Sequence, residues 1–259
     1  TRHTTDEAKP RNFKQQARMV KTPGGPIRTW RECHRDRRTH AARWEYPSRR
    51  GCLTMPSHPE PPSQGEILPF LRRCVERSRE IPEFQIISDA ERDVVGRFGT
   101  AFRPENLDDL TAETVTDFLR EKVNHHWYGL ERNTPRVTAD IPALREGMAV
   151  LLDDSAPLAE RWDAALPRMH GVGKAIASGM LLVAYPAQCG GWNSVSGEKM
   201  AWLGLIPEPW TRRSNGATYE RINLILLDLA DSLGIGLWEL DGIWHFIALD
   251  HDPHRRSMS

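Results

Sequence analysis

Leu166-Pro-Arg-Met-His170-Gly171-Val-Gly173-Lys174-Ala-Ile-Ala-Ser-Gly-Met-Leu-Leu-Val-Ala-Tyr185-Pro, continued by Ala187-Gln-Cys-Gly-Gly-Trp192-Asn193-Ser-Val-Ser-Gly-Glu198-Lys-Met-Ala-Trp202-Leu-Gly-Leu205, decides how the rest of the chain is read. Ala164 to Met169 reads as a helix end. Lys174 to Ala184 is an apolar run long enough for three helical turns, with small residues at Ala175, Ala177, Ser178, Gly179 and Ala184. Gly171 and Gly173 bracket Val172 and join the two. Glycines there permit left-handed backbone and bring main-chain N–H groups to the surface. At a helix start such groups stabilise an anion, and Lys174 adds a charge beside them. An ordinary helical hairpin with a glycine turn is the competing reading.

The residues beyond the turn favour the first reading. The segment resembles the helix-hairpin-helix DNA glycosylases of the endonuclease III type. Met169-His170-Gly171-Val172-Gly173 matches their Leu-Pro-Gly-Val-Gly hairpin. Trp192-Asn193-Ser194-Val195 falls where they carry Val-Asp-Thr-His, and Trp202-Leu203-Gly204-Leu205 where they carry Arg-Leu-Gly-Leu. The blocks align without a gap over about forty residues. The resemblance implies an all-α fold of two helical lobes with a cleft between them. It also implies that His170, Gly171, Val172, Gly173 and Lys174 hold the DNA backbone, a contact that positions without reading sequence.

Asn193 stands where the resemblance places a catalytic aspartate, and Ala175 where bifunctional members carry lysine. The cysteine cluster that holds iron–sulfur in some members is absent, since the last cysteine is Cys189. No cofactor and no metal is expected. Breaking an N-glycosidic bond passes through an oxocarbenium-like sugar that a nearby carboxylate stabilises. Asn193 carries no charge but can orient a water. Glu198, at the start of the next helix, is the first candidate for the charge, and Asp241 and Asp140 come after it. For each acid the alternative is a solvated helix residue or a cap.

Asn124-His125-His126-Trp127-Tyr128-Gly129-Leu130-Glu131-Arg132 is a non-helical stretch dense in aromatics. An enzyme acting on a base in duplex DNA extrudes that base and sandwiches it between aromatic faces. Trp127 and Trp192 are expected as the walls of such a pocket, with His125, His126 and Tyr128 near the base edge. The alternative is that Trp127 and Tyr128 plug the core.

The formal charge is zero, yet residues 1–54 carry fourteen Lys or Arg against five Asp or Glu, and the remainder is acidic by the same excess of nine. Residues 1–54 read as a basic arm that is disordered, that gathers DNA, or that lies upstream of a natural start at Met55. Cys33, His34, His40 and Cys52 fit no common zinc spacing. Residues 55–65, with Pro56, Pro59, Pro61 and Pro62, read as a linker, 66–249 as the helical domain and 250–259 as a polar tail. Asp250-His251-Asp252-Pro253-His254 in that tail reads as polar chain before metal ligands. No apolar run is long enough to span a membrane, the amino terminus is polar and basic, and the four cysteines show no disulfide rhythm. A cytoplasmic setting is the expectation.

Helical stripes are expected from Glu66 to Ser78, from a cap at Ser88 through Phe98, from Thr111 through Val123, and from Asp140 through Leu152. Others run from a cap at Ser155 to Leu166, from Tyr219 to Leu233 ahead of Gly234, and from Leu237 to Leu249. Eight to ten helices and no strand ladder make an all-α fold. Arg212 and Arg213, ahead of the Tyr219 helix, are candidate phosphate contacts, or an exposed loop with no role. There is no Gly-Lys-Ser/Thr phosphate loop and no His-Glu-x-x-His, so neither nucleotide hydrolysis nor zinc proteolysis is expected.

Two functions are compatible with these residues. The first is a monofunctional DNA glycosylase that flips out and excises a modified base. Its substrate would be double-stranded DNA, and a similarity to defence proteins suggests phage DNA with hypermodified cytosine, such as glucosylated hydroxymethylcytosine. The second is a non-catalytic reader of modified DNA in a restriction or defence system. Neither involves a membrane or a nucleotide cofactor.

Overall fold

Two caps act where the sequence places them. Thr111 accepts a hydrogen bond from the Thr114 N–H, and Asp140 accepts one from Ala143, with Pro142 inside the first turn of the helix it caps. The computed structural model describes residues 60–208, 210 and 215–250. Every regular element among them is helical: eleven α-helical segments joined by short 3-10 turns, with no strand. Residues 1–54 with their basic charge, the start of the linker, Arg212, Arg213 and residues 251–259 lie outside the described residues.

The helices are α1 (Ile67–Ser78), α2 (Pro82–Ala101), α3 (Ala112–Leu119), α4 (Glu121–Asn124), α5 (Thr134–Val137), α6 (Ile141–Leu152), α7 (Leu158–Ala165), α8 (Lys174–Ala184), α9 (Ser194–Trp202), α10 (Gly216–Leu233) and α11 (Leu237–Asp250). Three expected starts are corrected. Helix α2 begins at Pro82, not after Ser88, because proline at N1 has no N–H to lose and a φ already suited to the helix. Helix α7 begins after Pro157, while Ser155 spends its hydroxyl on Asp153 instead of on a cap. Asn215 caps α10 through the Thr218 N–H, so that helix starts three residues ahead of Tyr219. Gly234, in the left-handed region, closes it as expected. A 3-10 turn at Gln64–Glu66 begins the helical region inside the expected linker.

Helix α8 buries every residue from Ile176 to Val183 and packs against α2. A helix covered all round sits at the centre of the core. Around it α6 packs on α7, α7 on α10, α9 on α11, and α11 on α1 and α2. Aromatic rings fill the joints. Phe98, Phe102, Phe118 and Trp127 meet edge to face, and Trp162, Tyr219 and Trp192 form a second group. These contacts bring the loop before α9, the loop after α4 and the first turn of α11 to one place. No described helix is long and apolar enough to cross a membrane.

Candidate functional site

Asp241 organises that place. Its side chain is fully buried in the first turns of α11. One carboxylate oxygen accepts from His126 Nε2 at 2.6 Å and from the Trp127 indole N–H at 3.0 Å. The other accepts from Asn193 Nδ2 at 3.4 Å. Burial pushes the Asp241 carboxyl upward. The His126 hydrogen bond, the charges of His126 and His245 and the Trp127 N–H together outweigh burial and hold it below the ordinary aspartate value. The carboxylate is therefore ionised at neutral pH. Gly191 leaves room for it, since a Cβ there would stand 2.8 Å from the Asp241 Cγ.

The donors arrive on a short loop with its own anchor. Asn124 Oδ1 accepts from the N–H groups of His126 and Trp127, and Asn124 Nδ2 donates to the Phe118 carbonyl. His125 has φ 53° and Gly129 φ 78°, so the loop turns at both ends through the left-handed region. His125 and Tyr128 face solvent while His126 and Trp127 point inward. Trp127 lies against Phe118, Trp238 and the bare α-carbon of Gly179.

Asn193 is the N-cap of α9. Its Oδ1 accepts from Val195 and Ser196, and Ser196 Oγ accepts in return from the Asn193 N–H. Its amide thus has one end on a helix and the other on Asp241. Trp192 is fully buried, stacked with Tyr219 at 5.9 Å and beside Trp162, and Ser178 ties its backbone to α8. Around the cluster, the buried Trp192 Nε1 and His126 Nδ1 have no hydrogen-bond partner among the described residues.

The glycine turn differs in kind. Gly171 has φ 77°, and a Cβ on it would stand 2.6 Å from the Arg136 Cβ, so only glycine lets the turn lie against α5. Gly173 is the extended N-cap of α8 and offers no side-chain cap to the first amides. Val172 inserts into the core, and His170, Arg136 and Arg168 are exposed around the turn. The Lys174 ammonium stands 4.3 Å from the centre of the Trp192 ring. Burial lowers its pKa, and the Glu198 charge partly restores it.

The structure thus joins Asn193, His126 and Trp127 through their contacts with Asp241, while Lys174 meets Trp192 and Glu198 instead. Glu198, the first candidate for the charge, is exposed on α9 and interacts with Lys174. Asp140 caps α6. The expected pocket walls, Trp127 and Trp192, are both buried: Trp127 bonds to Asp241, and Trp192 packs with Trp162 and Tyr219. Asn124, which aims the two donors, escapes sequence reasoning; its one signal is an asparagine at a helix end before two histidines. No group of three metal-binding side chains gathers among the described residues. Comparison of the chain with protein-family profiles, with curated proteins and with solved structures finds no match.

Proposed function

We propose that the protein is a DNA N-glycosylase of the helix-hairpin-helix type in which Asp241 supplies the negative charge and Asn193 orients water. The observation that carries this is the Asn193–Asp241 contact at 3.4 Å. An ionised carboxylate stands beside the residue that occupies the family's aspartate position. In the proposed reaction the turn at His170–Lys174 and exposed Arg136 hold the backbone phosphates. The target base is everted toward the cluster, which requires the His125–Gly129 loop to withdraw Trp127. The base then leaves with the electron pair of the N-glycosidic bond, Asp241 stabilises the cationic sugar, a water held by Asn193 adds to the anomeric carbon, and the proton that this water gives up goes to the departing base, so that an abasic site remains.

The test uses duplexes with plain, hydroxymethylated and glucosylated cytosine, each treated with alkali after incubation. Breaks confined to a modified duplex support excision. Asp241→Asn is expected to abolish the breaks while binding persists.

One observation favours a second reading. Asp241 is 1% exposed, and three donors already occupy its oxygens. A carboxylate so enclosed suits a structural part in a reader of modified DNA. Selective binding with no alkali-sensitive product decides for that reading.

A further inference from the structure

Arg161, in α7, is a buried charge without a counter-charge. The residue is 8% exposed, and its Nε and Nη1, both buried, have no hydrogen-bond partner among the described residues. No carboxylate forms an ion pair with it among those residues either. Arg79 and Arg97, both half exposed, each have a carboxylate in reach. A guanidinium stays protonated in any folded protein, so the charge at Arg161 is certain. Taken out of water and left unpaired, such a charge is strongly destabilising.

Its neighbours do not supply what is missing. Arg161 acts electrostatically on Asp153, Tyr185, Cys189 and Tyr219. Burial pushes the Cys189 thiol up to about 11 and raises the phenols of Tyr185 and Tyr219, so all three are neutral at physiological pH. Tyr185 donates to the Leu152 carbonyl and Tyr219 to that of Gly190. Asp153 is ionised, and its Oδ1 accepts from the N–H and hydroxyl of Ser155 at 3.1 and 2.6 Å. It lies near enough to feel Arg161 and makes no ion pair with it.

The place of Arg161 in its helix adds a second source of positive potential. Arg161 is the fourth residue of α7. A long side chain on a helix leans back over the preceding turn, toward the N-terminus. The guanidinium is thus carried toward the start of α7, which agrees with its pull on Asp153, five residues ahead of that start. Pro157 is the N-cap there, and no side chain caps the first turn. Glu160, in that turn, is exposed. Helix amides and an unpaired guanidinium at one end of a helix suit an anion.

We propose that Arg161 and the first turn of α7 bind a small inorganic anion of the size of chloride. The nine-tenths burial of Arg161 favours a single small ion over a phosphoester chain. The site is independent of the DNA reading above.

The full chain is unfolded in urea in sodium chloride and in sodium gluconate of equal ionic strength, and the chlorine-35 NMR line width is followed with added protein. Chloride is expected to raise the urea midpoint along a saturating curve, as a ligand of the folded state does. The chlorine-35 line is expected to broaden, and to narrow again when bromide competes. Arg161→Met exchanges the charge for an apolar chain of similar length, a change that buried sites tolerate. It is expected to remove both responses and to be at least as stable as the parent in gluconate. Arg161→Lys keeps the charge without the fork and should weaken chloride binding about tenfold. Equal chloride responses in the parent and Arg161→Met would mean a general salt effect and overturn the site. A parent indifferent to chloride, with no line broadening, overturns it as well. If Arg161→Met does not fold, the line width of the parent and its change in Arg161→Lys decide.

Discussion

The carboxylate cluster around Asp241 and the glycine turn at Gly171–Lys174 sit on neighbouring elements and obey opposite rules. In the cluster almost every polar group is spent on another: Asp241 takes three donors, and Asn193 and Asn124 each bond at both ends. In the turn, Val172 anchors the chain in the core while His170, Arg168 and Arg136 around it are exposed and the first amides of α8 receive no side-chain cap. Burial explains the contrast. A buried charge must be compensated where it stands, whereas a surface donor can wait for a ligand at little cost. Stability should therefore concentrate at the cluster and affinity for a polyanion at the turn.

The heaviest loss should come from removing the carboxylate. Asp241→Ala strands His126 and the Trp127 N–H without an acceptor and should cost about 3–5 kcal/mol, the usual result of removing one partner of a buried pair. Urea unfolding measures this, and a loss below about 1 kcal/mol would mean that the cluster does not hold the fold. The pH profile tests the same group independently. The folded Asp241 value lies below the unfolded one, near about 3.9, so its contribution is complete above that pH and disappears as pH falls through the folded value. Asp241→Asn should flatten the acid limb of the stability curve.

Trp127→Phe keeps most of the packing and removes one donor to a charged acceptor, with an expected cost of about 1.5–3 kcal/mol in thermal or urea unfolding. At the turn, Gly171→Ala adds a Cβ to a left-handed residue and sets it against Arg136. A cost of about 1–3 kcal/mol is expected, accompanied by weaker duplex binding. The least change in stability belongs to Lys174→Ala, at most about 1 kcal/mol for the lost contact with Trp192. Its signature is different: the slope of log affinity against log salt should fall by about one. A stability loss at Lys174 as large as that at Trp127, with an unchanged salt slope, would erase the distinction between the two regions.

Much of this is legible in the residues. The apolar stripes mark most helices, and Thr111, Asp140 and Gly234 mark ends, because caps and periodicity are local physics. Ser88 and Ser155 mislead for an equally physical reason: a serine caps only if the chain turns into a helix just after it, and Pro82 and Pro157 set those starts instead. At the candidate site, Asn193, Asp241, His126 and Trp127 all stand out in the sequence for their chemistry, but as members of separate groups. Nearness in sequence to Asn193 favours Glu198 over Asp241. In space the order reverses, since Asp241 arrives from forty-eight positions away.

The order of residues was enough to specify most of the helices, the glycine turn with its left-handed residue and the small side chains that let α8 run through the core. Each depends on backbone conformation or on a repeat of three to four residues, so a few neighbours suffice to set it. Folding in three dimensions was needed to select which acid is buried, which histidine faces it, and that the two tryptophans lie inside. Those outcomes depend on dielectric surroundings and on donors delivered by distant helices, and no local pattern encodes what a side chain will meet once the core has closed.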